Sequence, residues 1–234
     1  MVIVMKLFFK RLSKYKPLLK FIFVFFLFYF SGLFQIIPII LFKLKNYGDA
    51  TDVALSLFSN LFLILILIKL YKDELKTEWN NFRNNIATNI DIGVKGWFLG
   101  LLGMMFFNIV LTMFLRDGGA ANEQEVQKMI SALPWVMFVN AGIIGPFIEE
   151  IVFRKTLKNI FKSGTSFIII SGLMFGLMHV ASSFTTIGSI LYFIPYSCLG
   201  WAFGYMYQKT DSVFTSTLLH ILHNSTLILC SILM

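Results

Sequence analysis

Charge is what this chain has least of. Only 14% of its 234 residues are Asp, Glu, Lys or Arg, where a soluble domain carries roughly a quarter. So few charges cannot clothe a water-facing globule, and no soluble domain is expected. Cysteine is nearly absent. Cys198 and Cys230 both sit in apolar runs without CxxC spacing. That excludes a disulfide framework and a thiolate metal site, and makes them packing or lipid-facing residues. Proline is also rare, at 5 residues. No Pro-rich or Gly/Ser-rich linker, low-complexity tract or internal repeat divides the chain.

Apolar side chains fill the space that charge leaves. The chain is 57% hydrophobic with 27 Phe, and its mean hydropathy is +0.78. A membrane-spanning helix needs about 20 mostly apolar residues. Such runs fall at 18–42, 53–70, 93–115, 134–153, 165–183, 187–207 and 212–234. The expected fold is all-α, a polytopic transmembrane helix bundle of seven spans, or eight if a re-entrant piece forms near 117–132. Three spans fall in residues 1–132 and four in residues 133–234.

The net charge of +8 does not form a compact patch for nucleic acid. Six basic residues, from Lys6 to Lys20, lie before or at the start of the first apolar run, and Arg154, Lys155, Lys158 and Lys162 follow the fourth. This spacing obeys the positive-inside rule for a cytoplasmic N-terminus and alternating spans. No nucleic-acid partner is expected. The first run is too long for a signal-peptide core and lacks a small-residue cleavage site, so it reads as a retained anchor. The segment 1–16 suits a basic amphipathic helix on the inner leaflet, and the 116–132 loop suits a short surface helix. Richness in Phe, Ile, Lys and Asn hints at an AT-rich bacterial genome, hence a bacterial plasma membrane.

Charges inside spans are costly, at about 2.5–3.5 kcal/mol each on insertion scales. The few polar residues there are therefore the informative ones: Glu149, Glu150 and Arg154 in the fourth run, His179 in the fifth, and His220, His223 and Asn224 in the seventh. Residues four apart share a helix face while neighbours differ by about 100°. Arg154 can thus neutralise Glu150, leaving Glu149 on another face, toward Phe153. Phe175 and His179 share a face, as do His220 and Asn224. At about 1.5 Å per residue, Glu149, His179 and His220 lie about 18, 21 and 12 Å from the inner ends of their runs, close to one layer. Pro146 cannot donate to the Gly142 carbonyl, so a kink and a freed polar group are expected there. Gly172 and Gly176 allow close helix approach.

A carboxylate in a desolvated cavity beside imidazoles can act as general base on a water. Imidazole and amide donors can stabilise a tetrahedral oxyanion. An alternative is one divalent metal such as zinc, held by Glu149, His179 and His220, although the HExxH arrangement is absent.

At these positions the sequence resembles the CPBP intramembrane proteases, which include the CAAX proteases and the bacteriocin-processing (Abi) enzymes. The EExxxR motif matches Glu149-Glu150-Ile151-Val152-Phe153-Arg154, FxxxH matches Phe175 to His179, and HxxxN matches His220 to Asn224. The resemblance covers about Phe138 to Leu229. It implies an intramembrane endopeptidase, glutamate- or metal-dependent, acting on a membrane-associated protein or peptide precursor. It implies Glu149 as catalytic base, His179 holding the nucleophilic water, and His220 with Asn224 at the oxyanion. Glu150, Arg154 and Phe175 would support the site, and His223 has no assigned role. Two other readings stand beside it. One is a non-catalytic immunity or scaffold protein of the same fold. The other is a proton-coupled transporter, which would need inverted repeats that the sequence lacks.

Overall fold

A computed structural model describes residues 2–115, 121–161, 164–181 and 187–234, with side chains from residue 16 onward except 121–124 and 187. The described chain is helical, with no strand. Its elements are α1 (Val2–Tyr29), a 3-10 turn (Ser31–Gln35), α2 (Ile36–Leu41), α3 (Asp49–Asn84), α4 (Ile86–Leu115), α5 (Ala121–Ala132), α6 (Pro134–Lys158), α7 (Gly164–Val180), α8 (Ile187–Ile190), α9 (Phe193–Thr210) and α10 (Val213–Leu233).

The all-α expectation holds, but the count of seven spans does not follow from the described helices. Four of them, α3, α4, α6 and α10, are long and apolar enough to cross a membrane. The first apolar run is bent by 53° at the 3-10 turn, and counts as a fifth span only if the bent pair is one element. Helix α7 has 17 residues, and α9 is diluted by polar residues at Gln208-Lys209-Thr210. The expected inner loop at 71–92 is a second correction. It is helical almost throughout, because α3 continues for 36 residues to Asn84 with a local break in helical geometry at Tyr71. Good helix formers such as Glu74, Leu75 and Lys76 explain why charge there did not end the helix. The segment 2–16 is continuous with α1 rather than a separate surface helix. The side chains of 2–15, residues 116–120 and most of the 182–188 loop lie outside the described residues. The short helix foreseen in the third loop is α5, tied to α3 by the Lys128–Asp49 ion pair (3.0 Å) and to α10 by Gln127 Nε2 donating to Ser231 Oγ (2.9 Å).

Helices α7 and α9 approach backbone to backbone. A Cβ on Gly172 would lie 2.0 Å from Trp201 Cδ1, and one on Gly176 would lie 2.4 Å from the Phe193 carbonyl oxygen. Small residues are what allow such contact between helices in lipid, where van der Waals packing replaces the hydrophobic drive. Around this pair a core of Leu63, Leu67, Ile148, Phe153, Phe167 and Phe175 is almost fully enclosed.

Helix α6 carries the EExxxR motif and is not a regular helix. Pro146 produces no sharp kink. Instead, π-helical turns occupy Asn140–Ile144 and Ile151–Lys155, on either side of the glutamates. Such wide turns are intrinsically poor and persist where neighbours hold them. Here they do. Asn224 Nδ2 donates to the Ala141 carbonyl at 3.2 Å and Ser225 Oγ to the Gly142 carbonyl at 3.1 Å, both from α10. From α7, Ser171 Oγ donates to the Phe153 carbonyl at 2.7 Å. Asn140 is caught by α3, accepting from Asn60 at 2.8 Å and donating to Ser56 at 3.1 Å.

At the end of the bundle where α3 finishes, Glu78 gathers four elements although it is only 8% exposed. It pairs with Lys155, accepts from Tyr207 Oη at 2.9 Å and accepts from the Val213 backbone N–H at 2.8 Å, capping α10. Its own carbonyl accepts from Ser212 Oγ at 3.0 Å.

The glycine contacts predict that Gly176→Ala lowers stability by about 1–3 kcal/mol, because the added methyl meets backbone that cannot rotate away. A detergent-solubilised thermal-unfolding midpoint measures it. Gly32→Ala, where an added Cβ meets nothing within 4 Å, should leave that midpoint unchanged.

Candidate active site

The three motifs stand on α6, α7 and α10, and their side chains meet at one cavity of about 670 Å³. Glu149, Phe175, His179, His220, His223 and Asn224 all line it. Glu150 and Arg154 lie behind its wall, each 0% exposed.

The expected Glu150–Arg154 pair forms, with Arg154 Nε 3.4 Å from Glu150 Oε2. The ion pair is close but lacks hydrogen-bond alignment, and both atoms are otherwise unpartnered among the described residues. The guanidinium finds its other contacts on the Gly200 carbonyl (3.3 Å) and over the Phe175 ring (4.6 Å to the centroid). Isolated charges this deeply buried would each cost several kcal/mol, so the cation and the carboxylate depend on each other.

His220 joins the two glutamates. Its Nδ1 lies 3.0 Å from Glu150 Oε1 and its Nε2 lies 3.7 Å from Glu149 Oε2. An ionised carboxylate accepts only, so Nδ1 carries the proton and Nε2 faces Glu149. Phe203 stacks on this ring at 4.6 Å and Phe175 meets it edge-on at 5.5 Å. His220 is 2% exposed, whereas the Glu149 side chain retains 21% exposure. Glu149 is thus the carboxylate of the pair that reaches open cavity. Its Oε2 makes no hydrogen bond among the described residues.

His179 has one nitrogen committed and one available. Its Nδ1 donates to the Phe175 carbonyl at 2.9 Å, which leaves the Nε2 lone pair for the cavity. Phe175 and Tyr196 hold the ring at 4.3 and 4.7 Å. Phe175 therefore touches Arg154, His179 and His220 at once.

Asn224 differs from its expected position in one respect. One amide N–H is spent on the Ala141 carbonyl. The second is available to the cavity that Asn224 lines. His223, 6% exposed, also lines the cavity and meets Trp97 edge-on at 6.4 Å. Trp97 accordingly faces the bundle rather than a membrane interface. Ser56, Asn60 and Asn140 form a polar wall of the same cavity. All three sit unremarkably in apolar runs.

The expected metal set was Glu149, His179 and His220. Among the described residues no three His, Cys, Asp or Glu side chains converge to hold an ion. Both His220 nitrogens already face carboxylates. The residues present do not fit a bound metal, and no step is derived through one.

Known proteins resemble the same region. Residues 131–226 match the family described as type II CAAX prenyl endopeptidase, Rce1-like. The chain is also similar to YdiL of Bacillus subtilis (strain 168), which is named as a candidate membrane peptidase. The two are 24% identical over 171 residues, covering 71% of this chain and 66% of the relative. The chain thus spans just under two thirds of that relative's length. No solved structure matches the chain significantly. The three motifs gathered around one buried site all fall within residues 131–226, the region similar to the Rce1-like CAAX prenyl endopeptidases.

Proposed function

We propose that the protein is an intramembrane endopeptidase that uses Glu149 to activate water against a peptide bond. The observation that carries this reading is the asymmetry of the two adjacent glutamates. Glu150 is enclosed and neutralised by Arg154, while Glu149 lines the cavity and keeps 21% side-chain exposure.

Chemistry follows from that asymmetry. A water between Glu149 and the free Nε2 of His179 has two acceptors for its protons, which aims an oxygen lone pair at a substrate carbonyl. Glu149 takes the water proton as the C–O bond forms. The same carboxyl then returns a proton to the departing amine, so the proton balance closes within one group. His220 and the second N–H of Asn224 are the donors available to the tetrahedral oxyanion. For His220 this needs a proton on Nε2, the nitrogen that faces the cavity side. The apolar cavity wall, including Met137, Leu199 and Ile228, suits an apolar segment of a membrane-associated peptide or protein. The match of residues 131–226 to the Rce1-like CAAX prenyl endopeptidases supports the same class of reaction.

Glu149→Gln is expected to lower cleavage by about 10²–10⁴-fold, the range a general base supplies, with the protein still accumulating in the membrane. Comparing the membrane proteomes of cells with wild-type and Glu149→Gln protein measures this, because an uncut precursor accumulates in the variant. Equal processing in both would remove Glu149 from the mechanism.

Arg154→Met should behave differently. It strands the Glu150 carboxylate in a 0%-exposed position, which costs about 3–5 kcal/mol of stability. The detergent unfolding midpoint should fall for Arg154→Met and stay within a degree or so of wild type for Glu149→Gln.

A further inference from the structure

Among the described residues, the cavity opens in one direction. From Glu149 it runs past Asn60 and Ser56 near the start of α3, under Val126 and Ile130 of α5, and on to Ser231 and Met234 at the end of α10. The opposite direction is stopped. Behind Glu149 lie Glu150 and Arg154 at 0% exposure, then Lys155 at 6%, Glu78 at 8% and Tyr207 at 3%. The Glu78 hydrogen bonds to Tyr207, Val213 and Lys155 tie this plug across α3, α6, α9 and the start of α10. His220 sits 7 residues past Val213 and 14 before Met234. At the α-helical rise it is about 10 Å from the plugged end of α10 and about 20 Å from the open one.

The two ends differ in charge. The plugged end carries Lys69, Lys72, Lys76, Arg83, Lys95, Lys155, Lys158 and Lys209 against Asp73, Glu74, Glu78, Asp91 and Asp211, and stays net basic. At the open end Lys43, Lys45 and Lys128 are balanced by Asp49, Asp52 and Glu125. Short basic segments flanking spans stay in the cytoplasm.

We infer that the active-site cavity opens to the extracytoplasmic side and is sealed toward the cytoplasm by the Glu78–Lys155–Tyr207 plug. The inference rests on the peptidase reading for its substrate consequence. The substrate is then an apolar peptide segment presented from outside, long enough to reach about 20 Å into the bundle. A cytoplasmic chain terminus has no route to Glu149 except past the plug. A translocation or membrane-insertion step must therefore come before cleavage and supply the substrate.

Two measurements test this separately. Ser131→Cys on α5 and Lys209→Cys at the other end, each in a Cys230→Ser background, are treated in intact cells with a membrane-impermeant maleimide. Both positions are exposed, and the remaining Cys198 is buried. Labelling at 131 and not at 209 is expected. Labelling at 209 and not at 131 overturns the orientation, whatever the protein's activity.

The second measurement uses a library of quenched-fluorescent apolar peptides, each carrying a sulfonated dye that cannot cross a bilayer. Right-side-out vesicles should cleave it in a Glu149-dependent manner. Inside-out vesicles should cleave it only after detergent is added. Glu149-dependent cleavage by sealed inside-out vesicles alone overturns the proposal and leaves the peptidase reading standing. Outward labelling at 131 with no Glu149-dependent cleavage, even in detergent, supports the orientation and overturns the peptidase reading instead.

Discussion

The structure depends on a guanidinium with no access to solvent. Arg154 is fully buried, and a cation there is tolerable only beside an anion held just as firmly. Glu150 is that anion, and His220 completes the chain by donating to its other oxygen. Much of the surrounding packing serves these three groups. Phe175 and Phe203 cover the cation and the imidazole with ring faces and edges. The Gly200 carbonyl takes a guanidinium proton. This last contact requires α9 to run very close to α7, and the facing glycines on both helices make that approach feasible.

Glu149 is defined by exclusion from this arrangement. It has the same side chain as its neighbour, but a turn of about 100° takes it off the paired face. It meets His220 from the cavity side at 3.7 Å, too far for a firm hydrogen bond. One imidazole therefore has a tight carboxylate on one nitrogen and a loose one on the other. Such a ring is held rigidly in orientation.

Much of this was legible in the sequence because charge inside an apolar run is so informative. Glu149, Glu150, Arg154, His179, His220 and Asn224 stand out as chemically costly, and helical spacing alone assigns the Glu150–Arg154 pair. The helix class was equally plain. What stayed hidden depended on contacts between distant segments. Nothing at Glu78 marks it as a buried clamp, because it sits in a charged stretch that reads as a loop and is enclosed only by Tyr207 and Lys155 arriving from elsewhere. Span counting failed where composition and geometry part company. Ser31, Gly32 and Gln35 interrupt one long apolar run where the chain turns by 53°, and α9 is polar at one end while lying in the middle of the core.

The widened turns of α6 have a mechanical consequence. Each turn exposes main-chain oxygens that are claimed by a specific hydroxyl or amide on a different neighbour: Asn224 and Ser225 from one side, Ser171 from another. Moving this rod along its axis by one residue would break all of these bonds together, and half a step would satisfy none. The segment bearing the glutamates therefore behaves like a key cut to fit several wards. It sits in one notch or jumps to another, and cannot drift continuously under the pull of whatever occupies the site.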